Sequence, residues 1–214
     1  MEGIETIGLL QEPLRRRLYE YVVAQDHEVS RNEAAAATGA QRTLVAFHLD
    51  KLADAGLLDT TSRRVSGRAG PGAGRPAKLY RRAAAEYQVS LPPRDYHLAA
   101  ELLADAAEAA RLDDELGAAA RRRGRQLATG LTSLDGVVAA LTAHGYEPYR
   151  EGDTVRMRNC PFHTLAERHP GLVCGMNLAL LEELVTGAPG CAAALDPRPG
   201  ECCTVVQASI NNLS

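Results

Sequence analysis

The segment from Ser30 to Gly56 constrains the fold more than any other part of the 214-residue chain. Ser30 followed by Glu33 has the spacing of a capping box, in which two side chains satisfy the free N–H groups at a helix start. Gly39 supplies the left-handed residue that ends a helix, and Gly56 does the same after a longer apolar-periodic run. Two helices joined by a short turn are therefore predicted, Arg31–Ala37 and Gln41–Ala55.

The flanking segments extend this pattern. Pro13–Gln25 has apolar residues at helical spacing and is predicted as a preceding amphipathic helix. After Gly56, Leu57–Arg64 and Ala77–Arg82 are predicted as two short strands around a Gly-, Arg- and Pro-rich loop. Helix, turn, helix and β-hairpin in this order make a winged helix.

Residues from about 10 to 85 resemble a known family. The run AAATGA-x-RTLVAFHLDKLADAGLL, ending at Leu58, and the later GRPAKLY, ending at Tyr80, are similar to the ArsR/DeoR-type bacterial winged-helix regulators. The resemblance implies that this part of the chain binds double-stranded operator DNA.

The third helix is the one expected to enter the major groove, where side chains can read base edges. Arg42 could pair with guanine and Gln41 with adenine, and Ala46 or Phe47 could touch a thymine methyl group. His48 lies beside the inward stripe and is interpreted as a packing residue. The alternatives are a helix pair used only for protein contacts and, for any one outward residue, a solvated surface position. The residues expected at the DNA are Gln41, Arg42, Thr43, Ala46, Phe47 and Lys51.

The hairpin adds a concentrated positive charge to a chain whose formal net charge is only −3. Between Thr60 and Arg82 there are seven Lys or Arg residues and no Asp or Glu. Such a segment predicts a local contact with a polyanion. The expected phosphate contacts in this wing are Arg63, Arg64, Arg68 and Arg75.

Leu91-Pro92-Pro93 marks a boundary, after which Asp95–Leu127 is predicted as one long Ala-rich helix. In the resembling regulators such a helix joins reader to sensor and helps to pair two subunits, which implies a homodimer. Packing of this helix on its own C-terminal domain is the alternative. The predicted domains are 1–90 (DNA-binding), 91–129 (linker and dimerisation helix) and 130–214 (sensor).

The C-terminal third predicts a small α+β domain. It contains a short helix capped by Thr132 or Ser133, a hairpin around Glu151-Gly152-Asp153, a helix in two segments and a last strand, Cys202–Ile210. The expected fold class is therefore α+β and mainly helical.

All five cysteines lie in this third of the chain, between positions 160 and 203. The acidic N-terminus is unlike a signal peptide, and no apolar stretch is long enough to span a membrane. A cytoplasmic location without membrane association is expected, and disulfides are rare in that reducing compartment. The cysteines therefore indicate a metal, a cluster or redox chemistry. Their long spacing, C-x13-C-x27-C, does not fit a zinc ribbon, and it suits a cluster assembled from several elements.

The segment CPFH-x-LA-xx-HP-x-LVC-xx-N, with PG-x-CC later, resembles the sensor domain of the repressors of iron–sulfur assembly operons. This resemblance implies an iron–sulfur cluster, [4Fe–4S] in type, ligated by Cys160, Cys174 and Cys202. The fourth ligand stays open between Cys191, His163 and Cys203 or an exogenous group. Cys191 is expected in a mobile Gly/Pro-rich loop, and Cys203 in the core because adjacent strand residues face opposite ways.

Together these patterns predict a transcriptional repressor whose operator binding is controlled by an iron–sulfur cluster that senses redox state, oxygen species or iron–sulfur status. The alternatives are a zinc-stabilised regulator that senses an apolar small molecule and a thiol redox switch without metal. An iron–sulfur oxidoreductase is a further alternative. It is disfavoured because the sequence has no Gly-rich nucleotide loop after a strand and no nucleophile–base motif, so an enzyme is not expected.

Overall fold

The computed structural model describes residues 2–63 and 76–208. The fold is mixed α+β, about 54% helical, with two small antiparallel sheets, which confirms the predicted fold class at this level. The chain divides into two compact units, Met1–Arg94 and Asp95–Ser214, where the sequence had predicted three parts. No helix among the described residues is both long enough and apolar enough to cross a bilayer.

The first unit contains the predicted helices and strands, with ends that differ by one or two residues. Its sheet has the order β1-β3-β2, and α1 and β1 were not predicted. The elements are α1 (Glu2–Gly8), α2 (Pro13–Val23), β1 (Val29–Ser30), α3 (Arg31–Thr38), α4 (Arg42–Asp54), β2 (Leu58–Arg63) and β3 (Ala77–Arg82).

Local signals in the sequence produce the turn between α3 and α4. The Ser30 hydroxyl accepts from the Glu33 N–H at 3.2 Å, and the Glu33 carboxylate accepts from the Ser30 N–H at 3.3 Å. Gly39 ends α3 with a φ of 66°, in the left-handed region where a side chain is disfavoured. The core below this turn is formed by buried residues of α2, α4 and the sheet, among them Leu18, Leu49 and Tyr80.

The second unit contains a four-stranded antiparallel sheet in the order β4-β5-β7-β6. The predicted short helix, hairpin and two-segment helix are confirmed. The last strand was predicted to begin at Cys202 but begins at Thr204. Its predicted end, Ile210, lies outside the described residues. The elements are α5 (Tyr96–Ala110), α6 (Asp113–Leu127), α7 (Leu134–Ala143), β4 (Pro148–Glu151), β5 (Thr154–Met157), α8 (His163–Arg168), α9 (Pro170–Leu184), β6 (Cys191–Leu195) and β7 (Thr204–Ala208).

The prediction of one continuous helix over 95–127 is wrong. Arg111 adopts a left-handed conformation (φ 54°), and the Leu112 N–H bonds back to the Ala107 carbonyl at 2.9 Å, which closes the first helix. Three acidic residues, Asp113 to Glu115, then occupy the first turn of α6, where the helix dipole favours negative charge. A helix stop and a helix start thus meet at Arg111–Leu112.

Helix α6 packs closely along α9. Gly124 makes this possible, because a Cβ at that position would overlap the Leu180 carbonyl oxygen. Gly117 and Ala120 are buried on the same helix. The alternative interpretation, in which this stretch packs on its own C-terminal domain, therefore holds for α6.

Candidate DNA-contact surface and candidate cysteine site

Helix α4 leaves its predicted contact residues at the surface. Thr43 and Lys51 are exposed, and Ala46 is half-buried. Phe47 has 52% of its surface exposed, and the Lys51 ammonium lies 5.3 Å from the centroid of its ring. Gln41 is the N-cap residue of α4, so its backbone marks the helix start.

Arg42 is exposed and its Nε donates to the Asn32 side chain at 2.5 Å. This bond fixes the guanidinium near the start of α4. His48, by contrast, is 6% exposed and accepts from Arg15 Nε at 3.3 Å, in agreement with its interpretation as a packing residue.

A polar network behind α4 was not predicted from the sequence. Asp50 accepts hydrogen bonds from Arg31 at 2.6 Å, Lys78 at 2.7 Å and Tyr80 at 2.8 Å. Partial burial acts to raise the pKa of Asp50, but the bonds from Lys78, Tyr80 and Arg31 hold it below its usual value. Asp50 therefore stays ionised and keeps two cations in fixed positions.

Those two cations and Arg42 line an open cleft of about 490 Å³, together with Ser30, Asn32 and Ser62. Guanidinium, ammonium, hydroxyl and amide groups are the side chains that usually contact phosphates. The sequence indicated this cleft only in part. Lys78 belongs to the basic run, but no sequence pattern indicated that it lies near Arg31.

Arg63 is the one predicted wing contact that the structure describes. It lies at the end of β2, its side chain is 72% exposed, and its guanidinium is 3.8 Å from the Glu28 carboxylate. Arg64, Arg68 and Arg75 lie outside the described residues.

In the second unit, four cysteines are brought together from three parts of the chain. Cys160 follows β5, Cys174 lies in the second turn of α9, and Cys202 and Cys203 immediately precede β7. The Cys202 N–H donates to the Met157 carbonyl at 3.0 Å, which ties this segment to the end of β5.

The pKa values of these thiols depend on one another in the order Cys160, Cys202, Cys203, Cys174. The hydrogen bond from Cys202 lowers the pKa of Cys160, although burial opposes it. The hydrogen bond to Cys160 raises the pKa of Cys202 to about 11, and burial raises that of Cys174 to about 12. Cys160 is therefore the thiol in the chain that carries negative charge most readily.

The expectation that Cys203 turns away into the core is wrong. It assumed that Cys202 and Cys203 are adjacent strand residues, but the strand begins at Thr204. Cys203 is half-buried, and its pKa depends on both Cys202 and Cys174.

The other two candidates for a fourth ligand lie elsewhere. Cys191 begins strand β6, not a loop, and it pairs with Ala208 at the far end of β7 from Thr204. The two positions are four residue steps apart along the strand, which is about 13 Å at ~3.3 Å per residue. His163 is exposed, and its Nε2 lies 3.2 Å from Glu167.

Asn177 and Tyr146 form a buried polar pair that contacts Cys202 through Asn177. The Asn177 amide donates to Cys202 Sγ at 3.4 Å and to the Thr204 hydroxyl at 3.3 Å, and its carbonyl accepts from the Tyr146 hydroxyl at 2.5 Å. Asn177 is only 1% exposed, and burial raises the pKa of Tyr146 well above its usual range. Asn177 lies three residues after Cys174, so one face of α9 presents both side chains to the cysteine segment.

The segment that carries Cys202 and Cys203 is also held from the strand side. Arg156, buried on β5, forms ion pairs with Glu151, Asp196 and Glu201, and Tyr149 donates to Glu201 at 2.6 Å. These contacts fix both ends of the turn that leads into β7.

Within the described part of the chain, no three His, Cys, Asp or Glu side chains are arranged around a single point that could hold one metal ion. The four cysteines nevertheless offer the thiol ligands that an iron–sulfur cluster requires. Their chemistry fits one, because clusters are held by several cysteine thiolates, and the N–H···S bond from Asn177 is of the kind that tunes them. No protein family, curated protein or solved structure matches the chain.

Proposed function

We propose that the protein is a DNA-binding transcriptional repressor whose operator affinity is controlled by an iron–sulfur cluster held in the second unit. The observation that carries the proposal is the meeting of Cys160, Cys174, Cys202 and Cys203 in one unit of a chain whose other unit has an exposed helix beside a cationic cleft. Half-sites read by paired subunits give useful affinity, so the active form is a homodimer.

In the first unit, α3, α4 and the β2–β3 hairpin have the order of a winged helix. Helix α4 offers Arg42 and Thr43 to base edges. Arg31 and Lys78, held by Asp50, together with Arg63 contact phosphates. Phosphate contacts set position and affinity, whereas the base contacts of α4 set the sequence preference.

In the second unit, Cys160, Cys174 and Cys202 hold the cluster, and Cys203 is the fourth ligand. A bound cluster supplies an electron-accepting, oxidant-sensitive centre. Asn177 donates to the Cys202 sulfur and excludes water from that side, while Arg156 and Tyr149 keep the ligand segment in place. Ligation releases the thiol protons, so binding weakens as pH falls.

The direct test is the colour and iron–sulfide content of the full chain purified without oxygen. We expect a brown protein, loss of visible absorbance in Cys160→Ala, Cys174→Ala, Cys202→Ala and Cys203→Ala, and retention in the matched control Cys191→Ala. A wild-type protein that stays colourless after anaerobic reconstitution with iron and sulfide would remove the cluster from the proposal.

The DNA-reading role is tested separately by selecting a binding sequence from random duplexes. Arg42→Ala is expected to weaken operator binding by about 1–3 kcal/mol and to relax preference at one base pair. Arg17→Ala removes the same charge from an exposed position on α2 and serves as the control. Equal losses on selected and random DNA would place Arg42 on phosphate.

One observation favours a second candidate, a regulator that senses an apolar small molecule. A cavity of about 240 Å³ in the second unit is lined mostly by apolar side chains of α6, α7 and α9, with Tyr146 and Phe162 on its wall. Metal analysis separates the two candidates, because zinc without iron, with a colourless protein, would favour this one.

A further inference from the structure

We infer that the cavity lined by α6, α7 and α9 binds a small aromatic monocarboxylate, with the ring inside and the carboxylate at the mouth. The inference names the ligand class and the residues that hold it, and it rests on the second candidate function for any effect on DNA binding. Ligand binding itself requires neither metal nor cluster, so it can be measured whichever candidate function is correct.

The size of the cavity fits one aromatic ring and a short side chain. Its volume is about 240 Å³, whereas packed interiors contain few voids larger than a water molecule. An apolar cavity of about 150 Å³ holds one benzene, and a water occupies about 30 Å³ of the liquid. The difference of about 90 Å³ leaves room for about three further heavy atoms. A ring with one or two methylene groups therefore fits, and a long acyl chain does not.

The inner end of the cavity suits an aromatic ring. Its wall includes the buried side chains of Leu141, Leu181 and Tyr146. The rings of Tyr146 and Phe162 stand edge to face, with 6.4 Å between their centroids and 87° between their planes. A third ring in the corner between them can contact one by its face and the other by its edge, which are the arrangements that aromatic pairs prefer. The Tyr146 hydroxyl is already bonded to Asn177, so the buried end of a ligand needs no polar group.

The mouth of the cavity carries a positive charge that is open to a ligand. Arg123 lines the cavity and is exposed. Among the described residues it forms no ion pair, and its guanidinium donates to the Gln126 amide oxygen at 3.2 Å. Two acidic side chains of α9 that reach α6 are paired with other arginines, Glu182 with Arg121 at 3.9 Å and Glu183 with Arg125 at 2.9 Å. Arg123 therefore has donors left for a carboxylate, which a guanidinium can bind through two parallel hydrogen bonds.

His144 adds a second donor at the mouth. It is exposed, lines the same cavity and caps the end of α7. Its Nδ1 lies 2.7 Å from the Ala140 carbonyl oxygen, and because a carbonyl only accepts, Nδ1 carries the proton of this bond. Nε2 is left for the ligand, and in the protonated ring it is an N–H donor. Arg123 and His144 thus favour an anionic group over a neutral or cationic one.

The test is isothermal titration calorimetry of the full-length protein with four probes of similar size. Phenylacetate carries the ring and the carboxylate, phenylacetamide removes the charge, phenethylamine reverses it, and cyclohexylacetate keeps the charge without an aromatic ring. We expect phenylacetate to bind with a Kd below about 1 mM. The amide and the amine should bind at least about tenfold more weakly, and cyclohexylacetate about threefold more weakly because it lacks the aromatic contacts.

Two matched pairs of variants locate the bound probe. Ala140 lines the cavity, and Ala139 is exposed beside it on α7. Ala140→Leu should fill the cavity and weaken phenylacetate binding at least about tenfold, whereas Ala139→Leu should leave the Kd unchanged. Arg123→Gln should remove most of the preference for phenylacetate over phenylacetamide. Arg122→Gln removes the same charge from an exposed neighbour outside the cavity lining and should keep that preference.

The inference is overturned by an absence of saturable phenylacetate binding up to about 10 mM, by equal affinities for the acid and the amide, or by unchanged binding in a folded Ala140→Leu protein. Cyclohexylacetate that binds as tightly as phenylacetate would overturn the aromatic class. The comparison of probes needs only the wild-type protein, so it decides even if a variant folds poorly.

Failure of the inference can be told apart from failure of the candidate function. If phenylacetate binds as expected but leaves the affinity for a selected operator unchanged, only the second candidate function is contradicted. If neutral apolar probes bind and change operator affinity, with no preference for the acid, only this inference is contradicted.

Discussion

At the scale of single residues, the buried amide of Asn177 explains how Cys202 keeps its place. A buried amide costs stability unless its donors and acceptor are bonded, and here Tyr146, Thr204 and Cys202 provide those bonds. Part of this arrangement was open to prediction, because the C-x-x-N spacing puts Cys174 and Asn177 on one helix face. The partners of Asn177 were not, since they come from distant segments that only the folded sheet brings together.

Tyr146→Phe is expected to lower the free energy of unfolding of the second unit by about 1–3 kcal/mol, because the Asn177 carbonyl loses its buried donor. Tyr96→Phe removes the same hydroxyl from a ring that is 68% exposed, and should change stability by less than about 0.5 kcal/mol. Urea unfolding followed by far-UV circular dichroism measures both. Equal effects would mean that the Tyr146–Asn177 bond contributes no net stability.

His48 gives the first unit a defined dependence on pH. Burial lowers its pKa below the value near 6.5 of the unfolded chain. The unfolded chain therefore binds more protons, so stability is complete above about pH 6.5 and is lost as pH falls toward the folded pKa. His48→Gln should flatten this loss when the unfolding midpoint is measured from pH 7.5 down to 5.

Exposed His27 serves as the opposite control for that measurement. Hydrogen bonds with Asp26 and Glu33 raise its pKa, so its contribution is present below pH 6.5 and is lost as pH rises through its folded pKa. His27→Ala should therefore steepen the loss toward acid. If His48→Gln and His27→Ala changed the pH dependence of stability in the same direction, the opposite pKa shifts of the two histidines would be contradicted.

At the scale of elements, the close contact between α6 and α9 sets the shape of the second unit. Gly124→Ala places a methyl group against the Leu180 carbonyl and the Glu183 side chain, and it should destabilise the unit by about 1–3 kcal/mol. Gly117→Ala in the same helix meets only the end of the Arg121 side chain at 3.5 Å, and it should stabilise by up to about 1 kcal/mol. Thermal unfolding of the two variants measures both effects. Loss of stability in both would mean that the packing of α6 tolerates an added methyl group at neither position.

The elements show where local patterns suffice and where they do not. Caps and turn glycines are local, and the Ser30 box, Gly39 and the hairpin glycine Gly152 placed α3, α4 and the β4–β5 turn correctly. The stop at Arg111 was missed because a non-glycine residue takes the left-handed conformation, which is uncommon. Strand β6 was missed because Cys-Ala-Ala-Ala-Leu has low strand propensity and is ordered by its pairing with β7.

At the scale of the whole molecule, the sequence indicated both parts of the proposal, but only the folded chain shows which residues meet. The basic run suggested a polyanion contact, yet the pairing of Arg31 with Lys78 through Asp50 depends on β3 lying beside α4. The five cysteines suggested a local site, yet the separation of Cys191 from the other four depends on the register of β6 and β7. Sequence spacing carries no information on such distances.

We expect the subunits of the proposed homodimer to pair through α5. Leu102 and Leu103 are 60% and 71% exposed there, and Ala104 is the buried residue of that helix. A helix with exposed leucines on one side gains stability when a second copy covers them, since apolar burial contributes about 25 cal/mol per Å². Leu102→Glu combined with Leu103→Glu is therefore expected to shift the chain to monomer in sedimentation equilibrium and to weaken operator binding at least tenfold. Leu195→Glu changes a leucine that is 51% exposed on β6 and should leave the dimer intact. A wild-type monomer at micromolar concentration, or a double variant that stays dimeric, would place the subunit contact elsewhere or remove it.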